Sequence, residues 1–206
     1  APASDKIAML DDSAPDGLIC PASAIFDAGA VAAQINDAIA DATSEKAIRA
    51  ATVNVLADAR TAGMAQIASA FRAQPFASRS PTRAYSWLTD QIVTTVLGVA
   101  INHLHPLPNP TEGERLSLIA VGGYGRGEMA PQSDVDLLFL TPYKITPCAE
   151  SVIESMLYML WDLYLKVGHA SRTVKDCLRL AKEDYTIRTS LVEYRHLAGD
   201  PALASE

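Results

Sequence analysis

Asp134 and Asp136 are the residues of this chain best placed to do chemistry, because they are separated by a single residue at the entry to an apolar run. The run that follows, residues 137–140, has the length of a buried strand and ends at Thr141-Pro142. Side chains alternate across a strand, so both carboxylates share one face, where their mutual repulsion favours a divalent cation. Oxygen ligands favour Mg²⁺ or Mn²⁺ over zinc. The pair predicts a catalytic metal site; the alternative is that the aspartates only cap the loop before the strand.

A glycine-rich turn precedes the aspartates. A strand-like run over residues 116–121 stops at Gly122-Gly123, where a backbone without Cβ atoms lets a phosphate approach closely. Exposed N–H groups at such a turn bind anions, Arg126 adds a charge suited to phosphate oxygens, and Ser133 adds a hydroxyl donor. We predict that these four residues bind the phosphates of a nucleotide. The alternative is a hairpin or helix-cap turn with Arg126 in solvent.

Two other glycine motifs fit this segment less well. A P-loop would require Gly-Lys-Ser/Thr at the end of the loop, and the sequence has none. A dinucleotide-binding fingerprint would require G-x-G-x-x-G and an acid about 20 residues later. Here Gly123, Gly125 and Gly127 have the wrong last interval, and the aspartates follow too soon. The order of strand, glycine turn, short helix and Asp-x-Asp strand indicates a different design.

The wording of the motif resembles a known family. Residues 121–140, VGGYGRGEMAPQSDVDLLFL, look like the active-site motif of the nucleotidyltransferase superfamily that includes DNA polymerase beta. They are most similar to the bacterial PII uridylyltransferase/uridylyl-removing family. The similarity continues through YMLWD at 158–162, KVGHASRT at 166–173 and residues 186–200, which include Arg188, Glu193 and Arg195.

The resemblance carries expectations about fold and function. It implies an α+β polymerase-beta-like fold, with a small mixed sheet flanked by helices and a helical N-terminal region. It also implies transfer of UMP from UTP to a tyrosine of the nitrogen regulatory protein PII, with release of pyrophosphate, in the bacterial cytoplasm. Members of the family are much longer, multifunctional chains. The sequence is therefore expected to be a fragment, truncated on its C-terminal side, that keeps at most the transferase half.

Members of this superfamily commonly use a third carboxylate on a neighbouring strand. The predicted third strand, residues 167–174, contains no acid, so this chain departs from the pattern. Asp162, Asp176, Glu183 and Asp184 all fall on predicted helices or their ends. The third ligand therefore stays open, either absent or replaced.

Histidines near these elements have ordinary roles in our interpretation. His103 and His105 stand at a predicted helix end before a proline, where capping of carbonyls is favoured over metal binding. His169 and Arg172 lie on opposite faces of the third strand by alternation, so at most one of them faces the nucleotide.

The chain is predicted to have three parts: a loosely ordered arm over residues 1–25, a helical region over 26–105, and a nucleotidyltransferase domain over 106–206. Ser80-Pro81 is typical of a helix start, and that helix is predicted to continue to about residue 103. A last helical region is expected over about 175–197, interrupted near Asp184. Another helix is predicted over 149–165, with a buried side made of Val152, Ile153, Met156, Leu157, Leu160 and Trp161.

Composition excludes several classes of protein. The net charge is −7 and no dense Lys/Arg block occurs, so duplex DNA and other nucleic acids are not expected partners. No apolar run approaches the roughly 20 residues of a membrane helix, so no membrane association is expected. Cys20, Cys148 and Cys177 are odd in number and far apart, which indicates reduced thiols in a cytosolic protein.

Two other functions remain open from the sequence. The chain could transfer AMP to a different acceptor, because the motif does not reveal which base is bound. It could also be a catalytically silent nucleotide-binding module with a regulatory role, since no third carboxylate is located.

Overall fold

The computed structural model describes residues 14–206, apart from the side chain of Thr186. Of the predicted N-terminal arm, residues 1–13 lie outside this range, while Ile19 and Ile25 are buried. A π-helical turn (Ala100–Leu104) extends the helix that ends at Val99, and a 3₁₀ turn (Glu112–Glu114) precedes the first strand. The α-helices of the described range are α1 (Ala22–Ile25), α2 (Ala28–Ile39), α3 (Glu45–Ala73), α4 (Ser80–Val99), α5 (Gly122–Gly125), α6 (Pro147–Asp162), α7 (Val174–Glu183), α8 (Tyr185–Val192) and α9 (Pro201–Ser205).

Four strands form one mixed sheet in the order β3-β2-β1-β4. Strand β1 is antiparallel to both β2 and β4, whereas β2 and β3 are parallel and are connected through α6. The register between β2 and β3 pairs Asp136 with Gly168. The strands are β1 (Ser117–Ala120), β2 (Val135–Thr141), β3 (Val167–Thr173) and β4 (Arg195–Gly199).

One face of the sheet packs against the helices that precede and follow the glycine turn. Val135, Leu137 and Phe139 of β2 point to this face, and each is almost completely buried. Helix α4 begins at Ser80 with Pro81 in its first turn, where the missing N–H of proline has no helical partner to lose. The apolar contacts of this face come chiefly from Ile92, Val93, Val96 and Leu97 of α4 and from Met156 and Leu160 of α6.

The opposite face of the sheet carries a smaller apolar cluster. Ile119, Leu138 and Leu140 pack there with Leu203 of α9. Because side chains alternate along β2, Asp136 points to this same face, at the end where the glycine turn begins. The sparser cover of this face leaves the carboxylate accessible.

The structure corrects two predictions made from the sequence. The predicted interruption near Asp184 is confirmed, because α7 ends at Glu183 and α8 begins at Tyr185. The helical prediction is wrong beyond α8, where the chain enters β4 at Arg195 and pairs with β1 at the edge of the sheet. The short run RHLAG carries little strand pattern by itself, and its pairing with β1 decides the conformation. Trp161 is not on the buried side of α6, because its side chain is 45% exposed, whereas Met156 and Leu160 are fully buried.

The predicted α+β class with a small mixed sheet and flanking helices is confirmed. Between residues 14 and 206, no helix combines the length and the hydrophobicity that crossing a lipid bilayer would require.

Candidate functional site

The two aspartates lie at the entry to the central strand β2. Asp134 is exposed immediately before the strand, and Asp136 is half-buried within it. Val135 and Leu137, which alternate with them, are buried on the other face of the sheet. The backbone carbonyl of Asp136 accepts a hydrogen bond of 3.1 Å from the N–H of Val121, which joins the aspartate strand to the start of the glycine turn.

The Asp136 carboxylate occupies a cradle between two glycines. A Cβ atom at Gly122 would lie 3.5 Å from Oδ2 of Asp136. On the other side, a Cβ at Gly168 would fall well inside van der Waals contact with Oδ1. The contact at Gly122 would be an ordinary one, so it is the missing side chain at Gly168 that gives the carboxylate its room. Gly122 also has φ of +60°, a conformation that L-residues with side chains rarely adopt.

Burial raises the pKa of the Asp136 carboxyl above its ordinary value, and the neighbouring Asp134 charge raises it further. A cation placed between the two carboxylates would relieve both effects. Among residues 14–206, no group of three or more His, Cys, Asp or Glu side chains is arranged to hold a metal ion. The third carboxylate left open by the sequence is thus not supplied by the described residues, and the protein ligands of a cation would be these two aspartates. Their oxygen-only donor set suits Mg²⁺ or Mn²⁺, with water or substrate oxygens completing the coordination.

We expect Asp134→Asn to lower the pKa of Asp136, because the substitution removes the nearby negative charge. The pKa should stay above its ordinary value, since burial is the larger cause of its rise. The carboxyl ¹³C shift of Asp136, followed by NMR as a function of pH, measures this directly. Asp58→Asn, which removes an exposed charge from α3, is the matched control and should leave the titration unchanged. An unchanged Asp136 titration in Asp134→Asn would show that the two carboxylates do not interact.

The glycine turn forms the short helix α5. The first N–H groups of a helix have no intrahelical partner, so those of Gly122 and Gly123, which are not buried, are available to an anion. Gly125 lies so close to the segment after α8 that a Cβ atom there would overlap the backbone carbonyl of Glu193. The turn is therefore packed against the chain that leads into β4.

Arg126 and Ser133 flank the turn with different partners. A guanidinium nitrogen of Arg126, Nη2, lies 3.6 Å from the position of a Cβ on Gly123. Nη1 of the same side chain forms an ion pair with Glu193, and both side chains are roughly half exposed. The hydroxyl oxygen of Ser133 accepts a hydrogen bond of 3.0 Å from the N–H of Ala130, which leaves its proton free to donate. The roles predicted for Arg126 and Ser133 in phosphate binding stay predictions.

Two residues that the sequence placed on opposite faces of β3 are separated by the structure as expected. The ring of His169 lies 6.4 Å from that of Trp161, on the face covered by α6. Arg172 pairs in register with Leu140, so it belongs to the face of Asp136. His105 does not approach the aspartates: its Nε2 is 2.8 Å from the hydroxyl of Ser155.

A cavity of about 340 Å³ adjoins the site without including the aspartates. It lies between α3, α4 and the loop before β2, and it is bordered by Ser133, Val135 and Lys166. Because Val135 points away from Asp136, this cavity opens on the other side of the sheet from the carboxylates.

Gly168 is a site residue that motif reading missed. A glycine within a strand often marks the close approach of another group, and KVGHASRT contains such a glycine at the second position of β3. The missing information was the register, which places Gly168 beside Asp136 across 32 residues of sequence.

The sequence of this chain is similar to those of several known proteins. Residues 6–167 match the family model described as Glutamate-ammonia ligase adenylyltransferase. A bifunctional uridylyltransferase/uridylyl-removing enzyme of Ruegeria pomeroyi is 61% identical over 87% of this chain and 20% of its own length. The enzyme of the same name from Cereibacter sphaeroides is 56% identical over 100% of this chain and 22% of its own length. The one from Rhodospirillum rubrum is 45% identical over 87% of this chain and 19% of its own length. The chain thus spans about a fifth of the length of the curated relatives it matches.

Proposed function

The chain belongs to the family of bifunctional uridylyltransferase/uridylyl-removing enzymes, as its motif predicted, and on this premise we propose that it carries the nucleotidyl-transfer site. The observation that supports this most strongly is the Asp136 carboxylate, held between Gly122 and Gly168, next to Asp134 and beside the glycine turn. The name of these relatives combines a transfer and a removal activity. A carboxylate pair beside a glycine turn suits transfer.

We propose UTP as the donor and a tyrosine of PII as the acceptor. Asp134 and Asp136 would hold the cation that accompanies the triphosphate, and the N–H groups of Gly122 and Gly123 contact the phosphate oxygens. Arg126 and the hydroxyl of Ser133 add further phosphate contacts. These groups orient the α-phosphorus toward the acceptor.

The reaction is a displacement at the α-phosphorus. The acceptor oxygen forms a new bond to phosphorus, the bond from the α-phosphorus to the bridging oxygen breaks, and pyrophosphate leaves; the hydroxyl proton passes to solvent. A bound Mg²⁺ would supply Lewis-acid stabilisation of the charge that develops on the phosphate and acceptor oxygens. Ion pairing with Glu193 holds Arg126 beside the turn before the nucleotide arrives.

The proposal is tested by incubating the protein with PII, Mg²⁺ and each labelled nucleoside triphosphate separately, then identifying modified residues by mass spectrometry. We expect a uridylyl group on a tyrosine, formed from UTP. The same incubation with a chelator should give no product, because the two aspartates provide no substitute for the cation. Binding of nucleotide without transfer would instead indicate a silent regulatory module.

Adenylyl transfer is the second candidate, and the match of residues 6–167 to the adenylyltransferase family model favours it. Both reactions use the same phosphate chemistry and differ in the base and the acceptor. Labelling from ATP, with no labelling from UTP, would replace the first proposal with this one.

We also propose that the protein acts in the cytoplasm. Its three cysteines are unpaired in the structure, as expected for a reducing compartment.

A further inference from the structure

Arg195, the first residue of β4, forms a partly buried ion pair with a distant helix. Its Nη1 and Nη2 donate to the two carboxylate oxygens of Asp90 on α4, at 2.7 and 3.0 Å. Asp90 is only 5% exposed. Two-pronged pairing of this kind fixes the plane of the guanidinium as well as its position.

The same guanidinium also holds the glycine turn. Nη2 of Arg195 donates a second hydrogen bond, 3.2 Å long, to the backbone carbonyl of Tyr124. Its Cζ atom lies 5.5 Å from the centre of the Tyr124 ring, which is buried. Tyr124 stands within α5 between Gly123 and Gly125. One side chain therefore joins α4, β4 and the turn.

Stability alone does not explain this arrangement. Burying the Asp90 charge and part of the Arg195 charge costs solvation energy that their attraction often fails to recover, so apolar residues of similar volume can be equally stable. A fixed guanidinium provides what an apolar side chain lacks, namely a donor with a set direction toward the Tyr124 carbonyl. The turn needs such a constraint, because glycines leave its backbone free to adopt other conformations.

We propose that Arg195, oriented by Asp90, is a positioning residue that keeps the Gly122–Gly125 turn in the conformation that binds the nucleotide phosphates. The inference rests on the proposed nucleotidyl-transfer function. Arg195 acts through the Tyr124 carbonyl and does not itself contact the substrate. Its loss weakens nucleotide binding more than it slows the chemical step.

Arg195→Lys tests this, because lysine keeps the charge beside Asp90 but cannot bond both Asp90 oxygens and the Tyr124 carbonyl together. We expect the KM for UTP to rise roughly tenfold, as loss of a hydrogen bond from a charged donor implies, with kcat little changed. A purely structural role would lower the folded fraction, and hence the apparent kcat, without moving KM. An unchanged KM in the folded variant overturns the proposal.

Arg115→Lys is the matched control. Arg115 donates a hydrogen bond of 3.1 Å to Asp200 and therefore also forms an arginine–aspartate pair. This pair links the segment before β1 to the end of β4, on the side of the sheet away from the turn. The KM of Arg115→Lys for UTP should equal that of the unaltered protein. If Arg195→Lys fails to fold, Asp90→Asn takes its place, because it removes the charge that orients the Arg195 guanidinium. The same rise in KM is expected.

Hydrogen exchange separates failure of this inference from failure of the proposed function, because it needs no nucleotide. Amides of residues 122–127 should exchange faster in Arg195→Lys than in Arg115→Lys, while those of α3 stay unchanged. Equal exchange in the two variants would refute the positioning role. Faster exchange in a protein that binds no nucleotide would refute the proposed function and retain the positioning.

Discussion

Asp134→Asn and Asp136→Asn should each reduce nucleotidyl transfer by roughly 10³-fold or more, the scale of effect expected when a catalytic charge-stabilising group is lost. Asparagine has nearly the same shape as aspartate but no charge, so it removes the attraction for a cation while filling the same space. Transfer rates at saturating Mg²⁺ and UTP measure the effect. Raising the Mg²⁺ concentration should recover little of the activity, because one charged ligand is lost.

Stability distinguishes loss of chemistry from loss of fold. In the folded protein the pKa of Asp136 is raised by burial and by Asp134, so the folded state disfavours the ionised carboxylate. Its contribution to stability is therefore greatest below the pKa of the unfolded chain and declines as pH rises through the higher folded value. At neutral pH, Asp136→Asn removes this penalty and should raise the thermal midpoint of the metal-free protein.

The control for these substitutions is again Asp58→Asn, which deletes one exposed negative charge far along the chain from the motif. It should retain full transfer activity. Retained transfer in either site variant would remove the metal-binding role of that aspartate. A lower midpoint in Asp136→Asn would mean that its carboxylate supports the fold.

The placement of the residues at the centre of the candidate site could be predicted because they are close together in sequence. Asp134, Asp136 and the glycines of the turn fall within 15 residues, and alternation along one strand was enough to put Val135 and Leu137 in the core. The helix that starts at Ser80-Pro81 was predictable for the same reason, since its signal lies in its own first turn.

What the sequence did not give was long-range pairing. Arg195 begins an edge strand only because the backbone of β1 provides its hydrogen-bonding partner. The five residues of β4, which include Gly199, show no pattern that would indicate a strand. Trp161 was assigned to the buried side of α6 by its hydrophobicity, but it lies beside His169 at the rim.

The same limit explains why the residues that support the site were missed. Asp90 and Arg195 are 105 positions apart, and nothing in the sequence around either one indicates a partner. Their contact depends on α4 packing against β4. A motif reveals the groups that touch substrate, while the groups that orient them are fixed by packing.

Gly168 packs directly against the Asp136 carboxylate. Gly168→Ala should reduce transfer about 10²-fold, since displacement of a reacting group by about 1 Å can have that effect. The added methyl would fall within contact distance of Oδ1 of Asp136 and would push the carboxylate out of its cradle. The side chain can rotate away, so the fold should survive and the thermal midpoint should change little.

Gly98→Ala is the matched control, because a Cβ atom at this helical position would have no neighbouring atom within 4 Å. It should keep full transfer activity and become slightly more stable, since alanine restricts the unfolded chain and favours helix. The Mn²⁺ affinity of the two variants, measured by electron paramagnetic resonance, identifies the cause. Weaker Mn²⁺ binding in Gly168→Ala alone would show that the methyl acts through the Asp136 carboxylate, whereas full activity in Gly168→Ala would mean that the precise position of this carboxylate does not govern transfer.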